Sequence, residues 1–182
     1  MHQKEKLKIG VIGVGHLGSL HAKMYDEIES AEFVGVFDVN EAKRNEIAKK
    51  YSVESCADIN ALLSRVDAVS IATVTSQHHE VALQALHAKK HLLIEKPITQ
   101  TTAEADELIK LAALNNVKIQ VGHIERFNPA ILSLESYNLA PMFIESHRLA
   151  QFNPRGTDVA VVLDLMIHDI DIALSLVKSP IK

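Results

Sequence analysis

The chain has 182 residues, 47% of them apolar and 23% charged, with 19 basic against 23 acidic side chains and a net charge of −4. That composition belongs to a soluble globular protein: it offers no basic field to nucleic acid, and no apolar run approaches the ~18 residues needed to span a bilayer. The single cysteine, Cys56, cannot form an internal disulfide and reads as a small buried hydrophobe in a reducing compartment.

Lys4, Lys6 and Lys8 stand before an apolar stretch, as they would in a secretion signal, but three glycines and a histidine interrupt that stretch. The expected location is the cytoplasm. Residues 7–13 are β-branched and short, which predicts a strand, and they run into Gly13-Val14-Gly15-His16-Leu17-Gly18. Leu17, Leu20, Met24 and Ile28 then recur at helical spacing, predicting a helix over 16–29. Residues 32–38 alternate as a second strand, ending on Asp38 twenty positions past Gly18.

A tight turn needs the first glycine, close approach to a pyrophosphate needs the second, and the third lets the helix press on its strand. The free amides of that helix would face phosphates. A glycine-rich turn alone can be empty; the strand, turn, helix, strand and acid together predict a dinucleotide site built from Gly13, Gly15, His16, Leu17, Gly18 and Asp38. Asp38 can accept both ribose hydroxyls of NAD, whereas a 2′-phosphate beside it would be repelled by about 4 kcal/mol at ~4 Å and an effective dielectric near 20. NAD is therefore expected over NADP. Arg44, in the next helix, could reach a phosphate or simply lie on a solvated face.

Further along, helices are predicted at 41–50, 58–63, 77–88 and 102–114, and strands at 67–72, 91–95 and 117–122. Thr101 with Glu104 forms a capping-box signature. The alternation predicts an α/β, doubly wound parallel sheet over residues 1–122. After Gly122 the pattern changes. Residues 123–139 start polar and turn helical, 142–152 read as one long strand, and 158–178 as an amphipathic helix. These predict the opening of a second, α+β domain over 123–182. The strand would carry Phe143 and Leu149 on one face and Met142, Ile144 and Phe152 on the other, so it needs partners, from the first domain or from a homo-oligomer.

Glu95-Lys96-Pro97 follows the strand 91–95, at the sheet edge where ligands bind. It reads either as a solvated turn or as a lysine that donates to a substrate oxygen. In the last helix Asp164, His168 and Asp171 fall at i, i+4 and i+7. They form either a wetted polar stripe or an acid/base device in which the carboxylate orients the imidazole. The ten histidines show no recognised zinc spacing, so no metal is expected.

Gly13 to Gly18, Thr73 to His78, Glu95-Lys96-Pro97 and Asp164-Leu165-Met166-Ile167-His168-Asp169 together resemble the glucose-fructose oxidoreductase, inositol dehydrogenase and MocA family, over essentially the whole chain. The resemblance implies a Rossmann domain followed by a domain with a large open antiparallel sheet, here incomplete, because similar family members continue well beyond Lys182. It implies oxidation or reduction of a secondary alcohol on a sugar or cyclitol. Lys96 would contact the reacting oxygen and the cofactor, His168 would accept the hydroxyl proton, Asp164 would pair with it, and Thr73, His78 and Glu95 would line the cofactor. Val74 departs from the proline common there. Residues 122–129 and 155–158 are similar to a nucleotide-sugar branch such as UDP-N-acetylglucosamine 3-dehydrogenases, with Arg126, Asn128 and Arg155 as candidate substrate contacts. The guanidinium forks match a diphosphate or pair with nearby acids. A second reading, a non-catalytic NAD-binding or assembly module, follows from the short second domain.

Overall fold

The computed structural model describes residues 6–149, 159–177, 179 and 180. It divides into two compact units, Met1–Val121 and Gly122–Lys182.

The first unit is a parallel six-stranded sheet built from β1 (Leu7–Ile12), β2 (Ala31–Phe37), β3 (Glu54–Ser55), β4 (Ala68–Ile71), β5 (His91–Ile94) and β6 (Ile119–Val121), in the order β3-β2-β1-β4-β5-β6. Helices α1 (His16–Glu27), α2 (Glu41–Tyr51), α3 (Ile59–Leu63), α4 (Thr75–His87) and α5 (Thr102–Asn115) alternate with the strands. Ile12, Leu62, Ile71, Leu86, Ile94 and Leu108 are fully enclosed between sheet and helices. The predicted elements form within a few residues of their expected bounds. The addition is β3, two residues long and paired only with β2, too short to leave a periodic signal. Side chains cap three of the helices, α5 as its residues predict. Asn40 accepts from Lys43 N, Asp58 from Ala61 N, and Thr101 with Glu104 makes the reciprocal pair of a capping box.

Helix α1 differs from its expected packing in an instructive way. Its apolar row, Leu17, Leu20, Met24 and Ile28, is 41–48% exposed, while Gly18 and Ala22 are buried. Small residues face the sheet because the turn before the helix forces close approach. A Cβ on Gly18 would collide with the carbonyl oxygen of Gly13.

Among its described residues the second unit shows no such core. Residues 123–139 fold as three short turns of helix: Ile124–Phe127, α6 (Pro129–Leu132) and Ser133–Ser136. The strand expected over 142–152 does not form in its described part, 142–149; a strand needs a neighbour to complete its hydrogen bonds, and Met142, Phe143 and Leu149 stay exposed. Residues 150–152 lie outside the described residues. The long helix expected over 158–178 is a π-helical segment, Val162–Met166, leading into α7 (Ile167–Leu176).

Candidate active site

A groove of about 440 Å³ opens where β1, β2 and β4 end. This is the crevice beside the central strand at which the chain's direction of winding reverses. Gly13, Gly15, His16, Leu17, Asp38 and Thr73 line it, with Val74, Gln77 and others. Gly13 has φ +83°, and a Cβ there would sit 2.8 Å from Thr73 N, so only glycine makes this turn. Gly15 faces open space, with nothing within 4 Å of a Cβ.

Asp38 is wired to that turn. One carboxylate oxygen accepts from Val14 N at 2.7 Å and the other from Asn40 N at 2.7 Å. Each oxygen keeps a lone pair for a ribose hydroxyl. Arg44, which the sequence left between a phosphate and a solvated face, donates to the Asp38 carbonyl and to Ser55 Oγ, both at 3.1 Å. It braces the loop that carries Asp38. Thr73 Oγ1 is buried in the groove wall with no hydrogen-bond partner. A buried hydroxyl left so costs stability, and a polar ligand in the groove would satisfy it. The turn, the acid and this hydroxyl fit a dinucleotide.

Three expected lining residues sit behind the groove rather than on it. His78 is 1% exposed and spans two loops, its Nδ1 at 2.8 Å from Pro97 O and its Nε2 at 3.2 Å from Thr73 O. Glu95 is buried, with one oxygen 2.9 Å from His21 Nε2 and the other accepting from Lys96 N at 3.2 Å. Gly18 serves helix packing. Both polar side chains are enclosed because they join elements that must be held together, and so they shape the site from beneath. Burial opposes ionisation of Glu95, but the hydrogen bonds from His21 and from the Lys96 amide, with the nearby Lys96 charge, outweigh it and hold the carboxyl below its ordinary range. Lys96 itself is half-buried at the carboxyl end of β5. The structure adds His21 and Ser70, which sequence reasoning missed. Their one signal was that His21 shares the buried small-residue face of α1.

In the second unit the expected substrate contacts are engaged locally. Arg126 donates through Nε and Nη2 to both oxygens of Asp171, each at 2.6 Å. That hydrogen bonding keeps Asp171 well below the ordinary carboxylate range and raises Arg126. Asn128 caps α6, accepting from Ala130 N at 3.0 Å. Arg155 lies outside the described residues. Arg148 makes a matching fork to Asp169 at 3.0 Å, which lowers Asp169. Asp164 lies in the π segment and His168 in α7. His168 and Asp171 share α7.

This strand order, with a glycine turn and an acid at the end of β2, defines a Rossmann dinucleotide-binding domain. The chain belongs to the Gfo/Idh/MocA oxidoreductase family with an NAD-binding Rossmann fold, whose model matches residues 7–123. It is 46% identical over 171 residues to UDP-N-acetylglucosamine 3-dehydrogenase of Acidithiobacillus ferrooxidans, covering 93% of this chain and 54% of that protein. The solved structure of that enzyme superposes with a TM-score of 0.90 over 97% of this chain and 59% of the other. Myo-inositol 2-dehydrogenase of Thermotoga maritima is 29% identical, covering 92% and 54%. An NAD-binding protein from Listeria innocua superposes with a TM-score of 0.82 at 29% identity, covering 98% and 57%. The chain thus spans about half the length of the curated relatives it matches. Among the described residues no helix is long and apolar enough to cross a membrane.

Proposed function

We propose that the whole protein is an NAD-dependent oxidoreductase acting on a secondary alcohol of a nucleotide-sugar, of the kind named for its Acidithiobacillus relative. The observation that carries the cofactor half is the Asp38 carboxylate, anchored to the glycine turn by Val14 N at 2.7 Å with acceptor capacity to spare. It favours two ribose hydroxyls and disfavours a 2′-phosphate. Bound in the groove, NAD supplies the hydride acceptor. In this reading the backbone at Gly13, Gly15, His16 and Leu17 holds the phosphates, and the Thr73 hydroxyl bonds the cofactor.

Lys96 donates to the reacting oxygen, His168 takes the hydroxyl proton, and Asp164 orients His168. Arg126 has donors beyond the two that Asp171 uses and offers them, with Arg155, to the substrate's diphosphate. The protein works in the cytoplasm, which suits its lone buried Cys56. It assembles as a homo-oligomer, supported by exposed Phe127, Phe143 and Leu149.

The test has two arms. Calorimetry should find NADH bound more tightly than NADPH, with the gap narrowed by Asp38→Ala; equal affinities in the parent would remove the role of Asp38. In the full-length protein with UDP-N-acetylglucosamine, Lys96→Met and His168→Ala should each lower turnover by about 10²- to 10⁴-fold. A near-normal rate in either variant removes that residue from the reaction.

A further inference from the structure

A buried polar chain crosses the first unit from α1 to the end of β5. Ser70 Oγ lies 2.5 Å from His21 Nδ1, and His21 Nε2 lies 2.9 Å from Glu95 Oε1. The second Glu95 oxygen receives Lys96 N. Ser70 is wholly buried and Glu95 is 5% exposed. A carboxylate only accepts, so His21 Nε2 must donate; in the neutral ring Nδ1 then accepts from the Ser70 hydroxyl. The donors run one way along the chain, and every link is filled.

We propose that His21 is a positioning residue for Lys96: through Glu95 it ties the helix whose first turn faces the cofactor phosphates to the strand end that carries the lysine. The inference rests on the role given to Lys96 above. His21 sits on the same face of α1 as Gly18 and Ala22, pressed toward the sheet, and reaches the one carboxylate that also holds the Lys96 backbone. Without the imidazole, Glu95 would be buried with one oxygen unsatisfied and would turn toward water, taking the Lys96 amide with it. The first turn of α1 and the strand end that carries Lys96 would then lose their fixed separation.

The experiment compares two ligands on this chain: NADH, and adenosine diphosphoribose, which has both phosphates and both riboses but no nicotinamide. His21→Ala should weaken NADH by about five- to tenfold and leave adenosine diphosphoribose within twofold. In a Lys96→Met background His21→Ala should add nothing. His21→Gln should recover most of the loss, because its amide can donate to Glu95 and accept from Ser70 at once. Equal weakening of both ligands, or additive losses in the double variant, would overturn the inference and leave Lys96 standing. If Lys96→Met alone does not weaken NADH, the assignment of Lys96 fails first and the inference falls with it. Should His21→Ala prove too unstable to assay, Glu95→Gln carries the same comparison: it keeps the shape, loses the charge, and should show the same split between the two ligands.

Discussion

In the first unit Leu86, Ile94 and Leu108 have no solvent exposure, whereas in the second Met142, Phe143 and Leu149 are 81–102% exposed. The first unit closes its core with local means: each strand feeds a helix that covers it, so apolar faces meet within a few dozen residues of chain. The second is organised by charge. Its buried side chain among the described residues is Asp171, held by Arg126, and a second fork joins Arg148 to Asp169. Apolar burial supplies most of the driving force for folding, while ion pairs mainly fix geometry. The first unit is therefore the stable platform. In the second, specific angles are set without much enclosed surface.

The sharpest way to break that contrast is to remove the same kind of group from each side. Leu86→Ala deletes enclosed atoms and should cost about 2–5 kcal/mol in urea unfolding. Phe143→Ala removes a larger side chain that is 81% exposed, and should stay within about 0.5 kcal/mol. A cost above ~1 kcal/mol for Phe143→Ala would mean that the second unit's apolar residues are covered in solution, as by a second copy of the chain.

The same contrast explains what could be read from the sequence. Residues 7–121 were legible because their periodicity, caps and glycine turn are decided locally: Thr101 and Glu104 announce α5, and Gly13 to Gly18 with Asp38 announce the groove. Beyond Gly122 the signals mislead. Residues 142–149 have a strand's alternation, but a strand is completed by a neighbour, which no pattern within the segment can supply. Spacing also cannot reveal that Asp164 sits in a π turn while His168 and Asp171 lie in α7. Partners remote in sequence were hidden as well. Nothing near Arg126 points to Asp171, 45 residues on, and nothing near Glu95 points to His21, 74 residues back.

The charge-organised unit should answer to pH through the Arg126–Asp171 pair. Arg126 holds the Asp171 carboxyl low, so that pair contributes stability at pH above the ordinary carboxylate range, near 4, and loses it as pH falls through and below that range. Two hydrogen bonds to a charged group would be worth several kcal/mol if enclosed. The Arg126 side chain is 50% exposed, and solvent screening reduces the pair to about 1–2 kcal/mol. Hydrogen exchange of 167–176 should therefore quicken on going from pH 7 to pH 3, after correction for the intrinsic rate, and Asp171→Asn should exchange fast at both. Protection that is the same at both pH values would show that the pair does not hold the second unit together.

The smallest test uses one chemistry in two settings. Thr101 and Asn128 both cap a helix through a side-chain oxygen on a backbone N–H, at 3.3 and 3.0 Å. Thr101 opens the fourteen residues of α5, whose Leu108 and Ala112 are buried in the core. Losing that cap frays a helix the whole fold depends on, and Thr101→Ala should cost about 1 kcal/mol of global stability. Asn128 opens the four residues of α6, none of them buried. A single turn is marginal on its own, so its loss leaves the core intact, and Asn128→Ala should cost under ~0.5 kcal/mol. Thermal melts of the two variants read the difference directly. If Asn128→Ala costs as much as Thr101→Ala, the short helix is coupled to the core, and the division into a stable platform and a charge-set second unit is wrong.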